Sequence, residues 1–441
     1  MKNKLELMES ANIKTALLKL GLPTMVGMVV SAFYNLVDTF FIGRLGTLQM
    51  AALTVIFPVT MIGTGLGLLF ANGGSVFISQ KLGRKEFDQV TRYLSTVFVA
   101  GLTTAAIVIS IMLLFFDKTM FVMGATAETL PYIREYGFIF IIGLILNVFN
   151  LISNNIINTE GATTYSMTVM FAGGALNVVL DPILIFGLKM GIEGAAIATL
   201  LARLLSMSLY LYYFLKKTVY LKFSFHMVSF DKKIMLNILK IGIPVMSFQL
   251  LNFVTLSLVN VIAGHFGNDA IAAVGIVNRI FMVEMMLTFG FIKGYQPFIA
   301  YNYGQKKMGR IQEATSTAVR WLTIASAVFA FVCILFSRNL ISAFDNHSRM
   351  VVEVGSKALL AMAFASLFQG YCMIHATCFL SMGKAKKGGF LSVCQQGVFF
   401  IPLLFLLSRI WGLNGLISTQ LVTNILMFAT TFLMVRNVKY A

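Results

Sequence analysis

Acidic side chains are scarce in this chain of 441 residues: there are seventeen, against 34 basic ones, and all charged residues together make up only 12%. A soluble domain carries roughly twice that share, so a water-soluble protein is excluded at the outset. Cysteine is also rare. The four present (Cys333, Cys372, Cys378 and Cys394) fall in apolar stretches with spacings that fit no metal motif, and they read as small buried hydrophobes. No HExxH, GxSxG or phosphate-loop pattern occurs, so no enzyme is expected. The opening MKNKLELMESANIKTALLKLG is polar and amphipathic. Without a short apolar core and a small-residue cleavage site, it predicts no removable signal peptide.

What the sequence has in abundance is apolar runs. Hydrophobic residues reach 58%, and each run can cross a hydrocarbon core of about 30 Å at 1.5 Å per residue. The segments of about ten alternating residues that mark a transmembrane barrel are absent. The pattern predicts an all-α polytopic membrane protein with twelve spans: 16–43, 50–80, 92–116, 131–158, 164–187, 192–215, 237–264, 269–301, 314–337, 355–381, 388–408 and 413–435. The net charge of +17 follows from topology rather than from nucleic-acid binding. With the N-terminus inside, twenty-three basic residues fall in the tails and the 2–3, 6–7, 8–9 and 10–11 loops. Eight fall on the other side, and Arg203, Arg279 and Lys293 lie within spans. The excess marks the cytoplasmic face and places both termini there.

The chain contains itself twice. KLGLP (19–23) returns as KIGIP (240–244), GRLGTLQMAA (43–52) as GHFGNDAIAA (264–273), and ISQKLG (78–83) as IAYNYG (299–304). All are offset by 221 residues, as are GIEG (191–194) and GLNG (412–415), while DP at 181–182 faces IP at 401–402 one residue out of phase. Six spans per half is an even number, so both halves begin on the same side. They are expected to form two six-helix bundles related by a pseudo-twofold axis along the membrane normal, with cargo bound between them. The division is an N-lobe at 1–215, a linker at 216–236 and a C-lobe at 237–441.

Three acids lie well inside spans: Asp38, Asp181 and Glu284. A carboxylate at mid-span costs about 2.5–3.5 kcal/mol, so each marks a functional candidate. Asp38 lies five residues before Gly43 and Asp181 six before Gly187, in spans that run the same way. Both therefore reach a similar depth in the outer half. Thr199, seven residues into span 6, shares that level, and Tyr34 and Asn177 lie one turn deeper at i−4 from each aspartate. Pro182 has no N–H for the Val178 carbonyl and predicts a kink. Its freed oxygen is tolerable only in a protein- or water-lined interior. Two adjacent carboxylates resist joint ionisation and titrate as a unit. Such a site holds a proton or a hard monovalent cation. The second half lacks these acids: Asp38 maps to Val259, Tyr34 to Thr255 and Asp181 to Ile401. Glu284 either attracts a cationic cargo in a central cavity or pairs with Arg279 or Lys293.

At this point the residues resemble a known family. The paired GLP and GIP starts, YNLVDTFFIG of span 1, NVVLDPILIFG with GIEGAAIAT of spans 5–6, and YNYG ending span 8 are similar to multidrug and toxic compound extrusion (MATE) transporters of bacterial type. The resemblance covers essentially the whole chain. It implies a V-shaped, two-lobed antiporter in the bacterial cytoplasmic membrane, acting as a monomer, that exports organic cations and other drugs in exchange for Na⁺ or H⁺, with no cofactor. The family's cation site transfers onto Tyr34, Asp38, Asn177, Asp181 and Thr199, with Asn154 of span 4 as a further member. The span-7 carboxylate that some members carry is missing here, where Gln249 and Asn252 are neutral. Met246, Phe248, Met282, Met286 and Phe289 are candidate cargo contacts, since Met and Phe make an adaptable lining. Neutralising the acids is expected to repack span 1 near Pro23 or Gly27, which the ion achieves through unequal affinity for two states. Two rival readings differ in what they require. A flippase for lipid-linked saccharides needs an arginine-rich cavity, and a scaffold or channel leaves the buried acids unexplained.

Overall fold

The computed structural model describes residues 3–344 and 348–436. Among these, every regular element is helical. In lipid each backbone N–H and C=O must find a partner within its own segment, and only a helix provides that for an isolated apolar run. Twelve helices are long and apolar enough to cross a membrane: Ile13–Gly43, Thr47–Gly83, Phe87–Leu114, Leu130–Thr159, Thr163–Gly187, Gly191–Lys217, Lys232–Gly264, Asn268–Gly304, Met308–Leu335, Arg349–Ser381, Ala385–Trp411 and Leu413–Arg436. These are spans 1–12. Spans 3, 7, 9 and 10 begin five or six residues earlier than the apolar runs do, because polar and charged first turns continue the helix into water. Lys2 and Lys439, which enter the charge count, lie outside the described residues.

The repeat is visible in the backbone. The left-handed turns at Gly46, Lys85 and Gly191 recur 221 residues on, at Gly267, Lys306 and Gly412. The short helix Phe116–Val122 after span 3 has its counterpart in Ser337–Ser342 after span 9. The helix pairings repeat as well: span 1 lies on 5 as 7 lies on 11, span 2 on 4 as 8 on 10, and span 4 on 6 as 10 on 12. The result is two six-helix bundles. The slip at DP and IP falls where both halves carry π-helical turns, Ile183–Gly187 and Cys394–Phe400. Beside the short helix after span 3, Arg134 donates twice to Asp117, at 3.1 and 2.6 Å. That guanidinium holds the Asp117 carboxyl below its ordinary range.

The bundles meet mainly through spans 1 and 8 and spans 2 and 7. Their tightest approaches are built on glycine and obey the same symmetry. A side chain on Gly83 would overlap the Tyr301 carbonyl, and one on Gly304 would overlap the Gln80 carbonyl. Gly294 faces Leu20, and Gly73 faces Ile238. All lie toward the ends of spans 2 and 8 and the starts of 1 and 7, which is the linker side. The apposed bundles close that end.

The linker between spans 6 and 7 is fastened to the first bundle. Glu160, buried just past span 4, accepts hydrogen bonds from the Tyr213 hydroxyl (2.8 Å), the Thr218 hydroxyl (2.6 Å) and the backbone amides of Tyr220 (2.9 Å) and Leu221 (3.2 Å). Further along, the Ser224 and Ser229 amides donate to Ser95 and Thr96 of span 3. Replacing Glu160 by alanine removes an acceptor shared by four donors. The expected cost is about 3–5 kcal/mol, the range for breaking a buried charged network. It is read as a lowered unfolding temperature in detergent, and an unchanged temperature would contradict the clasp.

Candidate functional site

Span 1 reaches span 5 through small residues. A Cβ on Gly27 would sit 3.6 Å from the Met167 backbone, and one on Gly174 only 2.8 Å from the Tyr34 ring, so glycine at both places lets the helices close up. Pro23 also shapes the contact between spans 1 and 5. Span 1 continues as an α-helix through it, but proline offers no N–H to the Lys19 carbonyl four residues back. The Thr163 hydroxyl at the start of span 5 donates to that carbonyl at 3.2 Å. The helix breaker thus creates a latch between the two spans.

One turn beyond Tyr34, the carboxyls of Asp38 and Asp181 lie within electrostatic reach of one another. Asp181 is fully buried, and its Oδ1 accepts from Asn177 Nδ2 at 3.1 Å. Asp181 Oδ2 and Asp38 Oδ1 are buried and accept from no donor among the described residues. The disruption at Pro182 takes the form of a π-helical turn directly after it. Gly194 of span 6 packs on that turn, where a Cβ would come within 2.8 Å of the Leu184 backbone.

Two residues stand out beside the pair. Arg203 of span 6 lies over the Phe140 ring, 4.6 Å from its centroid, and interacts electrostatically with Asp38. Its Nη1 is buried without an acceptor among the described residues. Tyr136 of span 4, almost wholly buried, stands in the field of both carboxyls and of Arg203. Tyr136 was not among the residues selected from the sequence.

Two further residues selected from the sequence make no hydrogen bond to the aspartates. Asn154 donates to Ser166 (2.5 Å) and Tyr210 (3.0 Å), a separate polar cluster toward the linker side of the bundle. Thr199 is half-buried on span 6 and hydrogen-bonds to neither aspartate. Among the described residues no three His, Cys, Asp or Glu side chains come together as a metal cluster. Two carboxylates, an amide and a phenol make a site of hard oxygens, suited to a proton or an alkali cation rather than a transition metal.

The second bundle holds a cavity of about 480 Å³ walled mainly by spans 7, 8, 10, 11 and 12, with Phe57 and Met61 of span 2 at one side. Of the proposed cargo contacts, Phe248, Gln249, Asn252, Met282, Met286 and Phe289 line it. Met246 instead packs at the bundle contact, 3.3 Å from a Cβ built on Gly65. Glu284 is not in the lining. It is buried against span 9, where it accepts from the Ser326 hydroxyl at 2.7 Å, rather than pairing with Arg279 or Lys293. Amides missed in the sequence, Gln395, Gln396 and Gln420, join the wall. Gln396 donates to Asn252 at 3.0 Å, and Gln395 and Gln420 both donate to Asn424.

Twelve spans in two symmetric bundles, a buried acid pair in one and a drug-sized cavity in the other, define a secondary-transporter class of membrane protein. The MatE family profile matches residues 23–183 and again 244–406. The chain belongs to the MATE family of transporters. It is 28% identical over 428 residues to the multidrug export protein MepA of Staphylococcus aureus MRSA252, covering 97% of this chain and 94% of MepA. It is 28% identical over 422 residues to MepA of Staphylococcus saprophyticus, covering 94% and 91%. Its fold matches an outward-facing multidrug-resistance MATE transporter of the MOP superfamily with a TM-score of 0.91, at 24% identity, covering 98% of this chain and 96% of that one. It also matches the Vibrio cholerae MATE transporter VcmN with a TM-score of 0.89, at 21% identity, covering 100% and 99%.

Proposed function

We propose that the protein is a multidrug efflux antiporter of the bacterial cytoplasmic membrane, exchanging small organic molecules for Na⁺ or H⁺. In this reading it works as a monomer with both termini in the cytoplasm. The N-lobe (1–215) holds the ion, the linker (216–236) rides on it, and the C-lobe (237–441) holds the cargo. The observation that carries the reading is the Asp38–Asp181 pair, with two buried oxygens that accept from no donor among the described residues. With Arg203 alongside, two ionised carboxylates leave a net single negative charge, which one monovalent cation or one proton balances. The ion drives exchange only by binding the two states unequally. The multidrug-export names of the staphylococcal relatives support the cargo class. Organic cations are the cargo that the family resemblance implies.

The test is dye accumulation in inverted vesicles under a Na⁺ gradient and a H⁺ gradient imposed separately. One gradient should drive uptake several-fold above a background that the Asp38→Asn variant also shows. Equal uptake with neither gradient and with both would overturn the reading.

A further inference from the structure

We propose that the cavity of the second bundle selects aromatic cargo carrying a negative charge, and that Arg279 recognises that charge. This rests on the export reading above and narrows its cargo. Arg279 lies eleven residues into span 8, which begins at Asn268. At 1.5 Å per residue that is about 16 Å from the helix end, within membrane depth. A guanidinium there is costly unless it faces a partner or a water-filled cavity. Arg279 has no ion-pair or hydrogen-bond partner among the described residues, and its side chain borders the cavity.

Among the described residues no aspartate or glutamate lines this cavity. The nearest acid on the same helix, Glu284, is five residues on and so about 140° around the helix, turned to Ser326. Lys293, also on span 8, does not line it either. Asp38 and Asp181 belong to the other bundle. The cavity therefore carries one fixed positive charge and nothing to cancel it. Arg279 is exposed along this wall, and a permanent cation entering would meet its like charge. A carboxylate would meet a planar fork that binds it through two hydrogen bonds. The rest of the wall suits an aromatic body. Phe248 and Phe289 form an edge-to-face pair with centroids 6.3 Å apart, and Gln249 and Asn252 offer neutral polar contacts. A volume of about 480 Å³ fits a drug-sized molecule. Neither half of the internal repeat provides a second such charge: the position equivalent to Arg279 is Pro58.

The test uses the full chain in nanodiscs and two xanthene dyes of one frame, anionic carboxyfluorescein and a cationic rhodamine ester. Binding is read by fluorescence anisotropy in the wild type, Arg279→Gln and Arg279→Lys. The wild type should bind the anion about tenfold more tightly, the effect of one charge-assisted contact. Arg279→Gln should abolish the preference, and Arg279→Lys should keep part of it. A wild-type preference for the cation, a preference that persists in Arg279→Gln, or no binding of either dye would overturn the inference. Gradient-driven flux of the same dyes separates the two claims. Flux without an Arg279-dependent preference leaves the export reading standing and sinks this one. The predicted preference without flux does the reverse.

Discussion

Asparagine in place of Asp38, or of Asp181, is expected to abolish gradient-driven efflux while leaving the protein in the membrane. Each aspartate presents a buried oxygen with no donor among the described residues, and the two carboxyls lie within electrostatic reach of one another across spans 1 and 5. Removing either charge leaves Arg203 opposite a single carboxylate. The cluster is then neutral, and a cation gains little by entering. The expected result is a loss of more than about a hundredfold in ion affinity. Folding is expected to survive, because asparagine has the same shape and removes a buried charge rather than adding one. The check is resistance of cells to a toxic dye, with membrane abundance measured in parallel. Full resistance in either variant would refute the assignment. The two single variants should fail alike and the double variant no worse, since the acids act as one unit.

Alanine at both Gly83 and Gly304 is expected to force open the linker-side contact. These residues occupy equivalent places in the two halves, each pressed on a backbone carbonyl of the other bundle. A carbonyl cannot swing aside as a side-chain tip can, so whole helices must part. Overpacking of this kind costs about 1–3 kcal/mol per site. Two sites acting on one interface shift a two-state balance by roughly a hundredfold or more. The readout is the rate of maleimide labelling at a cysteine placed at Ile299, which is fully buried there, in a chain lacking its four native cysteines. Labelling from the linker side should rise by about two orders of magnitude. An unchanged rate would show that the contact is not what closes that end.

Much of this is legible in the sequence alone. Length and hydropathy alone mark the twelve spans, because lipid leaves an apolar run no alternative to the helix. Helix ends were less visible at spans 9 and 10, where Arg310 and Glu313, or Arg349 and Glu353, continue the helix beyond the apolar run. The acid pair emerged from counting depth along spans that run the same way. The same count would have found Tyr136, six residues into span 4, but a neutral phenol in an apolar run gives no charge signal. Asn154 shows the converse. Its polarity was plain, yet only packing reveals that its amide nitrogen donates to Ser166 and Tyr210. Glu284 depended on which helix covers its face, and the neighbour proved to be span 9.

The most direct measurement is cargo-induced release of the coupling ion from purified protein, followed as proton release into weakly buffered detergent solution and, in parallel, as loss of bound radioactive sodium. Saturating cargo should expel one proton or one sodium ion per chain from the wild type and none from Asp38→Asn or Asp181→Asn. Undiminished release from both variants would mean that the exchanged charge resides somewhere other than between spans 1 and 5.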